Sequence, residues 1–402
     1  MLLDFHGIFA QEFQMVGNYS IEEASISYAV SGNQGYLCSP SVLYILDIQN
    51  PENPIGEGFC PGFAAIEDVK ISETYAFLSH GLGLNVVDVS DSGNPVTVGG
   101  FMTGYRMHGS DISGAYIFCV DFYGMKILDI SDPSNPAYIS EVQMPPEAHS
   151  VVIRDSLAYI SDFVPGLYIV NISDPTSPVL LGNCPIPGGA AMKCCLKGDF
   201  AFIAGNAGGL AIINISDPTQ PYQVANFDLP GYAWAISIDT TGVDSNYLYL
   251  AGYSLGVRVF DISDNSNPVY VAGYDTTRDG LDIDAANGLI YWTVGDGLSI
   301  LRFVPNEIDE NYDVLPEAVS LRAYPNPFNA ETRIHYFLTR TGQTSLTIYN
   351  IQGQKVATIF QGYQAKGDHA ITWDARALSS GVYIARLDGV TGSQTTKLVL
   401  LK

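Results

Sequence analysis

A strand-like phrase returns six times along the first three-quarters of the sequence. It reads LYILDIQNPENP from Leu43, LNVVDVSDSGNP from Leu84, MKILDISDPSNP from Met125, LYIVNISDPTSP from Leu167, LAIINISDPTQP from Leu210 and VRVFDISDNSNP from Val257. A seventh, decayed copy, LSILRFVPN, starts at Leu298. Anchored on Asp47, Asp88, Asp129, Asn171, Asn214, Asp261 and Arg302, the spacings are 41, 41, 42, 43, 47 and 41 residues. One such unit cannot bury its own apolar faces, so neighbours must stack. A period of 40–45 residues with strand character is that of a β-propeller, one blade per repeat.

The third repeat shows how a period divides. Met107 to Ser113 reads as the inner strand, Ala115 to Val120 as the second, Met125 to Ile130 as the third and Ala137 to Val142 as the outer. The SDPSNP segment between the last two is a turn. Its Asp accepts local backbone hydrogen bonds, and its Pro fixes φ and withholds a donor the turn cannot use. The acids of these turns therefore read as structural. The last copy ends at Phe303 without an outer strand, while EFQMVGNYS (Glu12 to Ser20) matches PVTVGGFMT (Pro95 to Thr103), the outer strand of the second repeat. The N-terminal strand is thus expected to complete the last blade, giving an all-β, seven-bladed ring over 12–304 with no open edge.

Composition agrees. Forty Gly, 22 Pro and only 15% charged residues suit short strands and tight turns. A net charge of -24 argues against nucleic acid or an anionic membrane, which require Lys/Arg stripes. No run of 18 apolar residues exists, so no transmembrane helix is expected.

The charge is unevenly divided. Residues 1–304 hold 33 acids and 9 bases, 305–320 hold 5 acids and no base, and 321–402 hold 4 acids and 9 bases. The middle stretch, PNEIDENYDVLPEAVS, has no apolar period and reads as an acidic linker. From Leu321, HYFL, SLTIYNIQGQKVATI and VYIARL read as short alternating strands with Gly-containing turns, a small antiparallel β-sandwich.

Two resemblances follow from these segments. LYIVNISDP and MKILDISDP resemble the LVIVD repeat family of surface and exported propellers, over nearly all of 12–304. The first copy lacks Ser-Asp and the seventh lacks the turn. AYPNPFNAETRIHYFL, SLTIYNIQGQKVATIF, GDHAITWDARALSSGVYIARLDG and TTKLVLLK resemble the C-terminal (Por-type) sorting domain of type IX secretion cargo. That resemblance implies an Ig-like sandwich over 321–402, partnership with the type IX machinery, and a secreted or cell-surface location outside the outer membrane. It also implies that Lys397 to Lys402 form the end read by that machinery and that cleavage falls in 305–320. LLDFHGIFAQ looks like the tail of an export segment, so 1–11 reads as a possible signal remnant, although it lacks a basic n-region and contains Asp4 and His6.

Six cysteines, Cys38, Cys60, Cys119, Cys184, Cys194 and Cys195, form no metal spacing and read as buried thiols, with a Cys38–Cys60 bridge the alternative in an exported protein. Adjacent Cys194 and Cys195 must face opposite sides of one strand.

No nucleophile elbow, phosphate loop or HExxH motif occurs. One constellation does stand out. Aligned on Val30, Ile71, Ile112, Ile153, Leu196 and Ile238, the inner strands carry Ile26, Glu67, His108, His149, Met192 and Trp234 four positions earlier, with Leu281 assigned to the last repeat. The loops after the second strands offer Ser39, His80, Asp121, Asp162, Asn206 and Tyr253 on the same face. Glu67, His80, His108, Asp121, His149, Asp162, Trp234 and Tyr253 are therefore the candidate ligand-binding residues, beside Tyr105, Phe122, Tyr123, Phe163 and Tyr232. Neighbouring sheets are expected about 10 Å apart at this level. Aromatic faces beside carboxylates suit a sugar or a peptide. The leading expectation is a binding or interaction module for a glycan or protein ligand, without cofactor. The alternative is a propeller hydrolase or lyase in which His108, His149 and Glu67 are catalytic or hold a divalent metal.

Overall fold

The computed structural model describes residues 13–144, 147–164, 166–186, 190–227, 229, 231–239, 246–274, 279–304, 320–324, 326, 328–338, 342–364, 367–389 and 392–401. The signal remnant at 1–11 and nearly all of the acidic linker lie outside these residues. Every regular element among them is a β-strand. They fall into two compact units, one through Asn306 and one from Glu307 onward.

The first unit is a β-propeller of four-stranded antiparallel sheets, numbered here one to seven by their inner strands. These are Ser27–Ser31, Ile66–Ser72, Met107–Ser113, Ala148–Arg154, Cys194–Lys197, Tyr232–Ile238 and Ile283–Ala286. In sheets one to six the four strands follow one another in sequence. In sheet seven the outer position is held by Phe13–Ser20, paired antiparallel with Gly297–Phe303 so that Phe13 faces Phe303 and Tyr19 faces Leu298.

The apolar second and third strands have a physical reason for their unbroken hydrophobicity. Side chains alternate between faces, and here both faces are covered. In Tyr75–His80, Ala76 and Leu78 pack towards sheet one while Phe77 packs towards sheet three. Each core cluster of this unit joins two neighbouring sheets. One of them joins Tyr28, Leu37 and Leu46 of sheet one to Tyr291, Leu298 and Ile300 of sheet seven. The same alternation puts Cys194 in the core shared with sheet four and Cys195 against the core shared with sheet six. All six cysteines are free thiols.

The recurrent turns are held by one repeated bond. The anchor side chain accepts the N–H two residues on: Gln49 to Asp47, Ser90 to Asp88, Ser131 to Asp129, Ser173 to Asn171, Ser216 to Asn214 and Ser263 to Asp261, all within 2.8–3.1 Å. Asp and Asn serve equally because both present the same acceptor oxygen.

The inner strands solve a second problem. Each leaves N–H groups on its axial edge without a ladder partner. Carboxylates of the preceding sheet supply the acceptor. Asp68 Oδ2 accepts the Ser110 N–H at 2.9 Å, Asp111 Oδ2 accepts that of Ile153 at 2.7 Å, and Asp282 Oδ2 accepts that of Tyr28 at 3.1 Å. Between sheets six and seven the Ala285 N–H donates to Ser237 Oγ at 3.1 Å.

The second unit has two sheets, Ser320–Tyr324 with Glu331–Leu338 and Gly367–Asp374, and Lys355–Gln364 with Gly342–Asn350, Gly381–Gly389 and Gly392–Leu400. They share one core, in which Ile334, Tyr336 and Trp373 meet Ile348, Leu387 and Leu398. Asn326 clamps the last strand: its Nδ2 donates to Lys397 O at 2.6 Å and its Oδ1 accepts the Val399 N–H at 2.7 Å.

Candidate functional site

Four of the residues singled out in the inner strands share one backbone feature. Ladder pairing skips a residue between Ile66 and Asp68, Met107 and Gly109, Ala148 and Ser150, and Ala233 and Ala235. The skipped residues are Glu67, His108, His149 and Trp234. Each is the extra residue of a β-bulge at the start of its strand, and a bulge re-aims the side chain it carries. In sheet five the Met192 N–H donates to Ala204 O while the Ala204 N–H donates to Lys193 O, at 2.9 and 2.8 Å. The hydrogen bonds thus mark the same kink, and Met192 stands where the others carry chemistry.

The bulges bring side chains closer than the expected spacing of sheets. The rings of His108 and His149 lie 4.7 Å apart, centroid to centroid, and tilted by 34°. His149 also meets Phe163 at 6.0 Å and Trp234 at 6.3 Å, and Trp234 meets Tyr253 edge-on at 5.4 Å. Trp234 belongs to sheet six, so it reaches across the place of Met192 to a ring of sheet four. Glu67 instead pairs with Arg106 Nη2 at 2.5 Å. Burial lowers the basicity of His108, and Arg106 adds to it. Burial, with His108 and Arg106 beside it, holds His149 down at about 4. Both imidazoles are therefore neutral at pH 7, each with one donor and one acceptor nitrogen.

The residues expected on the following loops are not a solvated rim. His80, Asp121 and Asp162 are the last residues of their second strands and are 3, 1 and 0% exposed. Each faces the entry of its inner strand, opposite Ile66, Met107 and Ala148 respectively. They are buried because the entering strand covers them. His80 Nδ1 accepts the Leu82 N–H at 3.2 Å, and burial lowers its basicity. Asp121 accepts the Tyr123 N–H at 2.8 Å and pairs with Lys126 at 2.8 Å. Asp162 has no such cation among the described residues, and Tyr168 stands at the register position that Lys126 occupies in sheet three. Its Oδ1 accepts the Val164 N–H at 3.0 Å, its Oδ2 is buried without a hydrogen bond among the described residues, and burial pushes the carboxyl up to about 7.

Aromatic side chains surround this group. Tyr105 meets Tyr123 edge-on at 4.7 Å, and Tyr123 meets Phe122 at 5.3 Å. Tyr105, Phe122, Tyr123, Phe163 and Tyr232 are all exposed. Glu147 joins two of the loops: its N–H donates to Phe122 O at 3.1 Å, and its O accepts the Phe163 N–H at 2.9 Å. It holds φ at +92°, a strained value for a residue with a side chain.

The alignment missed the polar interior beneath the mouth. A cavity of about 330 Å³ lies among the inner strands, lined by Asp68, Lys70, Ser110, Lys193, Asp282 and Asp284. Lys193 Nζ crosses to Asp282 at 2.7 Å. Asp68 and three further acids raise the basicity of Lys70, while burial raises the Asp284 carboxyl. Their signal in the sequence is an acid or base one or three positions after the aligned column, at Asp68, Lys193 and Asp282 and at Lys70 and Asp284.

Among the described residues no three His, Cys, Asp or Glu side chains are grouped to hold a metal ion. Glu67, His108 and His149 do not form a ligand set, because Glu67 turns to Arg106 while the imidazoles lie against each other.

Comparison with known proteins adds the following. The family profile of the LVIVD repeat matches residues 65–103, 111–143, 146–185, 188–228 and 230–276. The profile of the secretion system C-terminal sorting domain matches 322–401. No curated protein matches the chain. Among solved structures, the β-propeller domain of Cps50 (Swd1) from Myceliophteria thermophila is similar, with a TM-score of 0.58 at 11% identity over 73% of this chain and all of that one. The computationally designed Ika8 protein has a TM-score of 0.53 at 10% identity over 71% of this chain and 98% of its own. PorZ, an essential bacterial surface component of the type-IX secretion system of Porphyromonas gingivalis, has a TM-score of 0.52 at 14% identity over 93% of this chain. The chain spans 59% of the length of PorZ. At such identities the likeness is one of fold.

Proposed function

We propose, for a chain that carries five LVIVD repeats and a type IX secretion C-terminal sorting domain, that the propeller is an extracellular binding module and the tail its export address. In this reading the seven sheets are blades of one ring closed by Phe13–Ser20, with the domain boundary in the acidic linker. The tail is an Ig-like sandwich handled by the type IX machinery. The protein ends on the outer face of the cell or in the medium, and its partner is a glycan or a protein met there.

The observation that carries the binding role is the set of bulges. They turn Glu67, His108, His149 and Trp234 out of their ladders at one level, beside exposed Tyr123 and Phe163. Bulges also recur between the third and outer strands of sheets one to six, so what supports use is that those at the mouth carry Glu, two His and Trp, which a bulge re-aims. The hydrolase or lyase reading has less support. Among the described residues neither imidazole is hydrogen-bonded to a carboxylate that would orient it as a base.

The address is tested by expressing the full chain and a chain ending at residue 320 in a bacterium with type IX secretion. Protease accessibility on whole cells and immunoblots of medium and periplasm are then compared. The full chain should reach the surface or medium and the shortened one should stay in the periplasm. Equal export of both would overturn the assignment.

A further inference from the structure

We propose that the mouth takes a neutral, hydroxyl-rich carbohydrate; the inference rests on reading the mouth as a binding surface and names the chemistry of its ligand. The first argument is charge. The cation nearest the two imidazoles is committed, since Arg106 pairs with Glu67. Lys126 is held between Asp121 at 2.8 Å and Glu141 at 3.3 Å. On the neighbouring loop Glu23 is taken by the Ser39 and Ser41 hydroxyls at 2.6 and 2.9 Å. An anionic ligand would have to pull Arg106 from its carboxylate. A cationic one would have to compete with Arg106 and Lys126 for Glu67 and Asp121, and would find Glu147 as the carboxylate without a cation among the described residues of the shelf.

Apart from the Glu147 carboxylate, whose charge acts on Asp162, what remains unengaged among the described residues is neutral or apolar. His108 and His149 each keep a donor and an acceptor nitrogen, the pairing that a hydroxyl group, itself donor and acceptor, can answer from either side. Asp162 holds a fully buried Oδ2 that meets no donor among the described residues. Beside it stand aromatic faces: Tyr105, Phe122, Tyr123 and Phe163 are 47, 42, 47 and 36% exposed. The C–H face of a pyranose stacks on such rings while its hydroxyls turn to the polar groups. A few convergent polar groups among aromatic walls is the usual make-up of a small-ligand site.

The shelf is also built in advance. Glu147 ties the Phe122 and Phe163 loops by two backbone hydrogen bonds at a φ of +92°. Holding the loops in place beforehand lowers the ordering that a ligand must otherwise impose.

The test uses the full chain and calorimetric titration with defined probes. The neutral probes are laminarin, xyloglucan, mannan and dextrin; polygalacturonate represents acidic glycans and oligolysine represents cationic peptides. Trp234 gives a second signal, since the other two tryptophans, Trp292 and Trp373, are buried. At least one neutral probe should bind, shift the tryptophan emission and weaken about tenfold or more in Phe163→Ala and in Tyr123→Ala, both surface changes that leave the core intact. Trp234→Phe should abolish the emission change while retaining part of the binding. Binding only by polygalacturonate or oligolysine, weakened by the same substitutions, would overturn the neutral class while sustaining the mouth as a binding surface. No binding by any probe, or binding indifferent to Phe163→Ala and Tyr123→Ala, would overturn both.

Discussion

The acids of the propeller divide by what their oxygens meet. Asp111 accepts the Ile153 N–H of the next sheet through one oxygen and the Ile112 N–H through the other. Removing it strands a buried donor. Asp111→Ala should therefore cost about 2–3 kcal/mol in chemical denaturation, and Asp111→Asn, which keeps an acceptor, distinctly less. A loss below about 0.5 kcal/mol would remove the inter-sheet role. Asp162 predicts the opposite sign. Its folded carboxyl titrates near 7, above the unfolded value, so the native state binds the extra proton between about pH 4 and 7. Its contribution to stability therefore falls as pH rises through that window. Asp162→Asn should melt above the native protein at pH 8, with the gain shrinking towards pH 5. Glu147, whose charge also raises this carboxyl, and neutral His149 stay in place in both proteins. A constant difference across that range would sink the argument. One aligned column sufficed to find Glu67, His108, His149 and Trp234, because the bulge recurs at one phase of the repeat. Asp68 and Asp282 stand one position after that column and Asp111 and Asp284 three after it, so an alignment read at a single phase passed them by.

At the scale of the element, the turns and strands were the most legible part of the chain. In the third sheet Met107–Ser113 stands as read, and the strand read as Ala137 to Val142 ends one residue later, at Gln143. Turn chemistry and unbroken apolar runs are local signals, and the structure adds only the partner that each face packs against. Burial of His80, Asp121 and Asp162 was not legible, because it depends on the inner strand folding back over the second. The turns predict acid sensitivity. Local hydrogen bonds hold Asp88, Asp129, Asp174, Asp217 and Asp264 below the ordinary carboxylate range, beginning in each case with a Ser or Thr hydroxyl. A depressed folded value contributes stability that is lost as pH falls through it, so the melting temperature should fall below about pH 4. Replacing these five with Asn keeps the acceptor and should flatten that drop; an unchanged acid limb would count against the turns as its origin. The N-terminal strand predicts a larger effect. Phe13, Val16 and Tyr19 pack into the cores on either side of sheet seven. A chain beginning at Ile21 should melt roughly 5–10 °C lower, and an unchanged melting temperature would refute closure by that strand.

For the whole molecule, charge and contact describe two bodies joined by a short acidic stretch. The first carries 33 acids against 9 bases through residue 304, the second 4 against 9 from residue 321. Each has its own core, Ile334, Tyr336 and Trp373 lying in one that shares no residue with the propeller clusters. Two consequences can be separated in one calorimetric experiment. Independent cores should unfold as independent transitions, and Asn326→Ala, which frees the Lys397 O and the Val399 N–H of the last strand, should lower only the transition of the second unit. Salt should act mainly on the other. The propeller's excess of acids repels itself, and at about 0.5 M sodium chloride the screening length falls well under 10 Å. The propeller transition should therefore rise from low to high salt, while that of the tail, whose excess is five bases against the propeller's 24 acids, moves less. A single transition shifted as a whole by Asn326→Ala would mean that the two bodies fold as one. An export address that is removed at the surface would then leave its passenger destabilised, which is the reverse of what a detachable tail requires.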